Sequence, residues 1–146
     1  MTTLFAEYGS YHRDARNRAM HEIGIPLIVL AIVALLALVP LGRLNLAELV
    51  IVLVFLFYVR IDVPSALAAL AAYAILYLIG LHVVWWLAIL FFIAGWAFQF
   101  VGHVYEGKKP AFLTNIVHLL VGPLWIVALL MRRTQPAAPP APLRER

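Results

Sequence analysis

The sequence of 146 residues contains no cysteine. Disulfide bonds, thiolate nucleophiles and iron–sulfur or zinc–thiolate sites are therefore excluded. A metal ion would have to bind through His, Asp, Glu or backbone oxygen atoms. The five histidines are consequently the first residues to consider as metal ligands.

Charge is also scarce. Asp, Glu, Lys and Arg make up 12% of the residues, whereas 65% are hydrophobic, well above the ~45–50% that is usual in soluble domains. The net charge of +4 is modest and is typical of Lys and Arg that flank membrane segments rather than of nucleic-acid binding. We therefore expect an integral membrane protein that contacts lipids and has no nucleic-acid partner.

Long uncharged segments predict four membrane spans. Residues 23–41 are close to the ~30 Å that one span needs at ~1.5 Å per residue, and residues 44–59 form a shorter second segment. Residues 63–105 carry no charge over roughly twice the length of a span, which indicates a helical hairpin. Its turn is expected at residues 80–82, where a glycine relaxes the backbone.

The ends of these segments are also readable. Asp14 is suited to cap the first span helix, and Pro64 to occupy the first turn of the third. Residues 4–11 could form a short amphipathic helix on the membrane surface. Residues 111–131 form a last apolar segment, in which Pro123 predicts a kink or a re-entrant course.

These observations predict an all-α fold. We expect a polytopic membrane helix bundle of about five hydrophobic helices, namely four spans and a fifth segment that either crosses or re-enters, preceded by a short interfacial helix. Residues 1–133 would be one membrane-embedded catalytic domain. Residues 134–146 are rich in Pro and Ala and are expected to be disordered.

Four of the histidines fall on one side of the predicted bundle. His12 and His21 lie before and within the opening of the first span, His103 at the end of the fourth and His118 near the start of the fifth segment. The three within helices lie at comparable depths of about 7–12 Å from the nearest polar break. His82 falls on the opposite side.

Each of these three deep histidines has a polar neighbour within a helical turn. The pairs are Asn17 with His21, Gln99 and Glu106 with His103, and Asn115 with His118. Such neighbours are typical of metal-binding histidines, whose second ring nitrogen is held by an acceptor. A single histidine at a membrane interface is more often an anchor or a cap, but several at matched depth indicate a metal site. Arg13, Arg16 and Arg18 have an alternative role in binding lipid headgroups.

The chain resembles the 2-hydroxy fatty acid dioxygenase family over nearly its whole length apart from the tail. The matching motifs are Tyr11-His12, Asn17, His21, Gly24-Ile25-Pro26, Gly95-Trp96, Gln99, Gly102-His103, Glu106, Pro110-Ala111, His118-Leu119-Leu120 and Gly122-Pro123. Ala15 and Tyr105 depart from the residues expected of the family at those positions, and neither is a proposed ligand.

The resemblance implies Fe(II) as the cofactor, and a 2-hydroxy fatty acid and O2 as the substrates. The expected products are the acid shortened by one carbon and carbon dioxide. It also implies that His12, His21, His103 and His118 are essential.

A 2-hydroxy carboxylate can chelate iron through two oxygens, and dioxygen needs a further position, which leaves three octahedral positions for protein ligands. We expect His21, His103 and His118 to fill them. His12 lies outside the spans and would serve as the acid/base group or as a fourth ligand.

Further residues are expected to support this site. Glu106 or Gln99 would orient His103, Asn17 would orient His21, and Asn115 is the polar neighbour of His118. Arg16 would pair with the substrate carboxylate.

Two other classes of function remain open. A b-type cytochrome would hold haem between two histidines of different helices and would show a strong Soret band. A membrane scaffold or transporter subunit would bind no metal, and its function would survive replacement of His21 or His103. The oligomeric state remains open.

The N-terminus is polar and has no short apolar segment followed by a cleavage site, so we expect it to belong to the mature protein. The composition favours a bacterial inner membrane with the histidine side in the cytoplasm. Most loop Lys and Arg agree with this orientation, but Arg132 and Arg133 would lie on the opposite side if the last segment crossed. A re-entrant last segment would remove the conflict.

Overall fold

The computed structural model describes residues 3–113 and 115–134, and within them it confirms the all-α membrane bundle. The elements in chain order are α1 (Thr3–Ser10), α2 (Ala15–Ala37), β1 (Pro40–Leu41), β2 (Leu44–Asn45), α3 (Leu46–Val59), α4 (Val63–Gly80), α5 (Trp85–Glu106), a 3-10 turn (Ala111–Leu113) and α6 (Val117–Leu130).

The predicted helix starts have clear physical causes. The Asp14 carboxylate accepts the backbone N–H of Arg16 at 2.8 Å and caps α2. Asp62 caps α4 by accepting the backbone N–H of Ser65 at 3.0 Å, and Pro64 lies in the first turn. Both caps satisfy backbone donors that have no partner inside the helix.

Among the described residues, three helices are long and apolar enough to cross a membrane, namely α2, α4 and α5. The apolar helices α3 and α6 have 14 residues each, or about 21 Å. The second predicted span is therefore shorter than residues 44–59, because Leu44 and Asn45 pair with β1 instead. The charge of Glu48 is explained by a capping box, in which its carboxylate accepts the backbone N–H of Asn45 at 2.7 Å.

The helices α2 and α5 form the central antiparallel pair. Gly24 and Gly95 face each other there, and a Cβ on Gly24 would lie 2.7 Å from the Gly95 carbonyl oxygen. Small residues permit such close backbone approach inside membranes. This contact places His21, near the start of α2, beside His103, near the end of α5.

The end of the bundle remote from the histidines is tied together by polar contacts. The two-residue strands join α2 to α3, with Pro40 opposite Asn45. The Asn45 side-chain amide donates to the Tyr77 hydroxyl of α4 at 2.7 Å. Gly80 packs closely on α2, because a Cβ at Gly80 would lie 3.3 Å from the backbone of Ala34. The predicted turn between α4 and α5 follows directly, at residues 81–84.

Both ends of α6 lie at the histidine end of the bundle. Near its start, His118 lies 3.6 Å from the carboxylate of Glu7. Just beyond its other end, the Arg133 guanidinium donates twice to the Asp62 carboxylate, both at 3.0 Å, and Asp62 begins α4 at this end. Both ends of α6 therefore lie at one end of the bundle, and Arg133 lies on the side of most of the other Lys and Arg residues.

The predicted interfacial helix is present as α1. It packs against α6 and buries Phe5 and Tyr8, with the Tyr8 ring 5.3 Å from that of Trp125. The disordered tail predicted for residues 134–146 lies outside the described residues except for Thr134, which is buried.

Candidate metal centre

Three histidines converge where α1, α2 and α5 meet. His12 follows α1, His21 lies in the second turn of α2, and His103 lies in the last turn of α5. One ligand nitrogen from each lies within 4.8 Å of the other two. The side chains are 0%, 2% and 7% exposed, respectively, so water does not compete freely for these nitrogens.

The arrangement of these rings fits a metal ion. Ligand nitrogens that each lie ~2.1 Å from a metal are separated by about 3–4 Å, so a small contraction would complete the site. The Nε2 of His12 and the Nδ1 of His103 are buried and have no hydrogen-bond partner among the described residues. Buried polar atoms without partners are costly, and an ion between the rings would satisfy them.

Backbone carbonyls hold the other nitrogens of two of these rings. The Nδ1 of His12 lies 2.8 Å from the Tyr8 carbonyl oxygen, and the Nδ1 of His21 lies 3.0 Å from that of Asn17. Each contact fixes the ring and leaves its Nε2 for a ligand. The contact between Asn17 and His21 is thus made by the backbone of Asn17, whereas its side-chain amide donates to Glu106.

His12 is held in its neutral form. Burial lowers its pKa to about 3, and the nearby His103, His118 and Arg18 act in the same direction. A neutral imidazole keeps the lone pair that a metal requires.

Glu106 fastens the segment that carries the first histidine to the end of α5. Its carboxylate accepts the backbone N–H groups of Arg13 at 3.0 Å and Asp14 at 2.8 Å, and the side-chain amide of Asn17 at 3.0 Å. Glu106 is one of the two residues, with Gln99, expected to orient His103, but its carboxylate accepts from these three donors instead. Its contacts join residues about 90 positions apart, which helical spacing cannot reveal.

His118 lies near these three rings but outside the group. Its Nδ1 contacts the Ala111 carbonyl oxygen at 3.2 Å, and its Nε2 lies 3.6 Å from the Glu7 carboxylate, beyond hydrogen-bond range. The three histidines that the structure groups are therefore His12, His21 and His103 rather than the expected His21, His103 and His118. The reason is that α1 folds back on α6 and carries His12 into the bundle.

An apolar cavity of about 280 Å³ extends from these histidines into the bundle. His12, His21, His103 and His118 all line it. The rest of its wall is mostly aliphatic and aromatic and comes from α2, α3, α5 and α6. The arrangement can hold a long apolar molecule whose polar head meets the imidazoles.

Comparison with known proteins agrees with this geometry. The family described as 2-hydroxy-palmitic acid dioxygenase Mpo1-like matches residues 1–134. The chain belongs to this family. It is 31% identical over 120 residues to the 2-hydroxy-palmitic acid dioxygenase MPO1 of Saccharomyces cerevisiae, an alignment that covers 78% of this chain and 69% of that protein. No solved structure matches the chain. The resemblance inferred from the motifs is thus confirmed at the level of the family.

Gln99 is the predicted supporting residue that reaches the cavity. Its side chain is 7% exposed and lines the wall one turn from His103. Its Nε2 has no hydrogen-bond partner in the described part of the chain. It therefore offers an amide donor to a bound molecule, beyond the orienting role expected from sequence.

Two predicted residues have other roles. The Asn115 side chain accepts the backbone N–H of Val117 at 3.0 Å, which supports the start of α6 and not the ring of His118. Arg16 pairs with Asp14 at 2.9 Å, with a side chain 65% exposed, and stacks 4.6 Å above the Tyr105 ring. The structure does not bring Arg16 into the cavity, because α2 turns this position outward.

Tyr8 is a site residue that sequence reasoning missed. Its ring stacks on His12 with centroids 4.2 Å apart and lies 5.9 Å from the ring of His118. The spacing of four residues between Tyr8 and His12 was the available signal, since such pairs share a helical face. The sequence pattern alone predicts no more for this segment than a helix on the membrane surface.

Proposed function

We propose that this protein is an Fe(II)-dependent oxygenase that shortens 2-hydroxy fatty acids by one carbon. The bond between the carboxyl carbon and C2 breaks, so that R–CH(OH)–COOH and O2 give R–COOH, CO2 and water. Atoms and electrons balance without a further reductant, because the four-electron oxidation of the acid matches the four-electron reduction of dioxygen. The observation that carries the proposal is the convergence of three buried imidazoles at the end of an apolar cavity.

His12, His21 and His103 would hold the iron. A bound Fe(II) ion would supply the Lewis-acid and redox chemistry that activates the 2-hydroxy acid and dioxygen. The three rings come from separate segments, so their geometry depends on the packing of α1, α2 and α5. The chemistry of the donor set agrees, because neutral imidazoles suit iron.

The head of the substrate would meet Gln99 and His118. The free amide of Gln99 can donate to the carboxylate or the hydroxyl group, a role for which sequence reasoning had favoured Arg16. The Nε2 of His118, which has no hydrogen-bond partner among the described residues, can accept or return a proton near the reacting carbons. The acyl chain would lie in the apolar part of the cavity, which excludes water from the head group.

The relative's name supports the class of substrate. The yeast protein is named as a dioxygenase of 2-hydroxy-palmitic acid, and we transfer this class of substrate to the chain. We further propose a bacterial inner membrane as its location, with the histidine end toward the cytoplasm. The loop cations at that end support the orientation.

The decisive experiment uses the purified protein in lipid nanodiscs. It is loaded anaerobically with Fe(II), mixed with a 2-hydroxy fatty acid and exposed to oxygen. We expect mass spectrometry to detect the acid shortened by one carbon and an equal amount of carbon dioxide. H21A should lose this activity, whereas H82A, at the opposite end of the bundle, should keep it.

Two outcomes would contradict the proposal. Iron-loaded protein that produces no shortened acid from 2-hydroxy acids of any length would exclude the reaction. A strong Soret band in the purified protein would favour haem-based electron transfer instead.

A further inference from the structure

We propose that the length of the cavity limits the length of the acyl chain, and that Ala47 and Leu36 close its far end and so set the longest chain accepted. The inference rests on the proposed function, because the chain measured is that of the same substrate. It adds residues that determine specificity, far from the histidines and from every motif of the family resemblance.

The cavity follows α2 along most of its length. His21 lines it at one end and Leu36 at the other, a separation of 15 residues or about 22 Å along the helix. The wall contributed by α3 runs the opposite way, from Tyr58 beside the histidine end to Ala47 at the remote end. Two antiparallel helices thus bound the same long space.

The length of this space corresponds to a defined number of carbons. An extended hydrocarbon advances ~1.3 Å per bond, given C–C bonds of ~1.5 Å and tetrahedral angles. A span of about 22 Å therefore holds roughly 17 bonds. The α2 residues that line the wall between the ends, such as Ile28, Val29 and Ile32, are apolar, so they offer no partner for a polar group along the chain.

The remote end is a rigid stop. Ala47 is fully buried in the first turn of α3, directly after the β1–β2 hairpin. The backbone N–H of Leu46 donates to the Val39 carbonyl at 2.9 Å, which fixes the start of α3 to the end of α2. The hydrogen bond from Asn45 to Tyr77 adds α4 to the same junction. Because three helices are fastened there, a longer chain cannot simply push the end apart.

The test is a shift in chain-length preference. Ala47→Phe adds a side chain that reaches about 4 Å further, so the longest accepted acid should become shorter by about three carbons. For the longest acid that the unaltered protein accepts, kcat/KM should fall on the order of 10-fold or more. Acids about three carbons shorter should be turned over at nearly the original rate. Leu36→Ala should move the limit in the opposite direction, by about two carbons.

A matched control carries the same chemical change elsewhere. The control is Ala74→Phe, because Ala74 lies on an exposed face of α4 and is not part of the cavity wall. It should leave the chain-length profile unchanged. If A47F cannot be recovered in folded form, Leu36→Phe and Ala47→Val make the same test with smaller backbone disturbance.

A second readout does not require turnover. A 2-hydroxy acid of about 16 carbons with a diazirine at its last carbon, bound to metal-free protein, should label peptides around Leu36 and Ala47. Labelling confined to the histidine end or spread over lipid-facing helices would overturn the inference. An unchanged chain-length profile in A47F, A47V, L36F and L36A would also overturn it. Absence of turnover in the unaltered protein would instead refute the proposed function, and the labelling result would still decide where the chain lies.

Discussion

At the scale of single residues, the site depends on atoms that the helices leave unpaired. Four ring or amide nitrogens of residues that line the cavity are buried and have no hydrogen-bond partner in the described residues, on His12, His103, His118 and Gln99. A fully packed structural histidine would have both nitrogens satisfied. The pattern therefore favours a site made to bind something over a set of structural histidines.

Sequence identified these residues better than it identified their partners. His21 and His103 lie on helices whose spacing is regular, so their depth could be predicted. His12 lies in a short connection after α1, and its position depends on how α1 packs against α6, which no periodic pattern records. The difference between the expected trio and the group that contains His12 follows from that one contact.

Replacing these two histidines separates a ligand from a nearby acid/base group. Replacing a residue that only orients a metal ligand typically lowers metal affinity ~10–100-fold. Because His12→Ala removes a proposed ligand itself, the affinity for Fe(II), or for Co(II) as an air-stable substitute, should fall by at least as much. His118→Ala should retain the metal and lose turnover. Metal content after dialysis and cobalt absorption spectra measure the difference. Retention of metal in H12A with loss in H118A would show that the original trio was right.

Glu106 is expected to act as a positioning residue. Glu106→Gln replaces one acceptor oxygen by an amide that faces the backbone N–H of Arg13 or Asp14, so the segment carrying His12 should loosen. We expect metal affinity to fall about 10–100-fold while the protein stays folded. Glu22→Gln, an exposed carboxylate on the same helix as His21, is the control. Equal metal affinity in both variants would show that the Glu106 contacts do not hold the site.

At the scale of elements, the paired helices α2 and α5 set the distance between His21 and His103. Sequence predicted both helices, the cap at Asp14 and the turn after Gly80, because each depends on local residue types. It could not predict the β1–β2 pairing, since two-residue strands show no alternation. Nor did it predict which faces of α2 and α5 meet, because away from the histidine end both helices are apolar all round.

The contact between α2 and α5 can be tested at Gly24. A methyl group in Gly24→Ala would lie 2.7 Å from the Gly95 carbonyl oxygen, so the helices must separate. We expect a loss of about 1–3 kcal/mol of stability and weaker metal binding, measured by thermal unfolding in detergent and by cobalt titration. Gly9→Ala is the control, because its new methyl group would meet the Trp125 ring at an ordinary 3.6 Å. Normal metal affinity in G24A would separate the helix contact from the site.

At the scale of the whole molecule, charge and packing indicate one orientation. The Lys and Arg residues at the histidine end are Arg13, Arg16, Arg18, Arg60, Lys108, Lys109, Arg132 and Arg133. Within residues 3–113 and 115–134, the opposite end carries Arg43 alone. The pair between Arg133 and Asp62 removes the conflict that sequence left open, because a segment that returns to its own side adds its cations to the same face. A long-range ion pair of this kind is not visible in hydropathy.

This topology can be tested cleanly because the chain has no cysteine, so each introduced thiol is the only one. Arg132→Cys and Lys109→Cys should react with a membrane-impermeant maleimide from the same side, and Arg43→Cys from the opposite side. In a bacterial host we expect the first two to react in inverted vesicles and the third in intact cells, as the excess of Lys and Arg on one face predicts. If residue 132 instead reacts together with residue 43, then α6 crosses the bilayer. The contact of Arg133 with Asp62 could not then exist, and the wall that α6 gives the cavity would have to be redrawn.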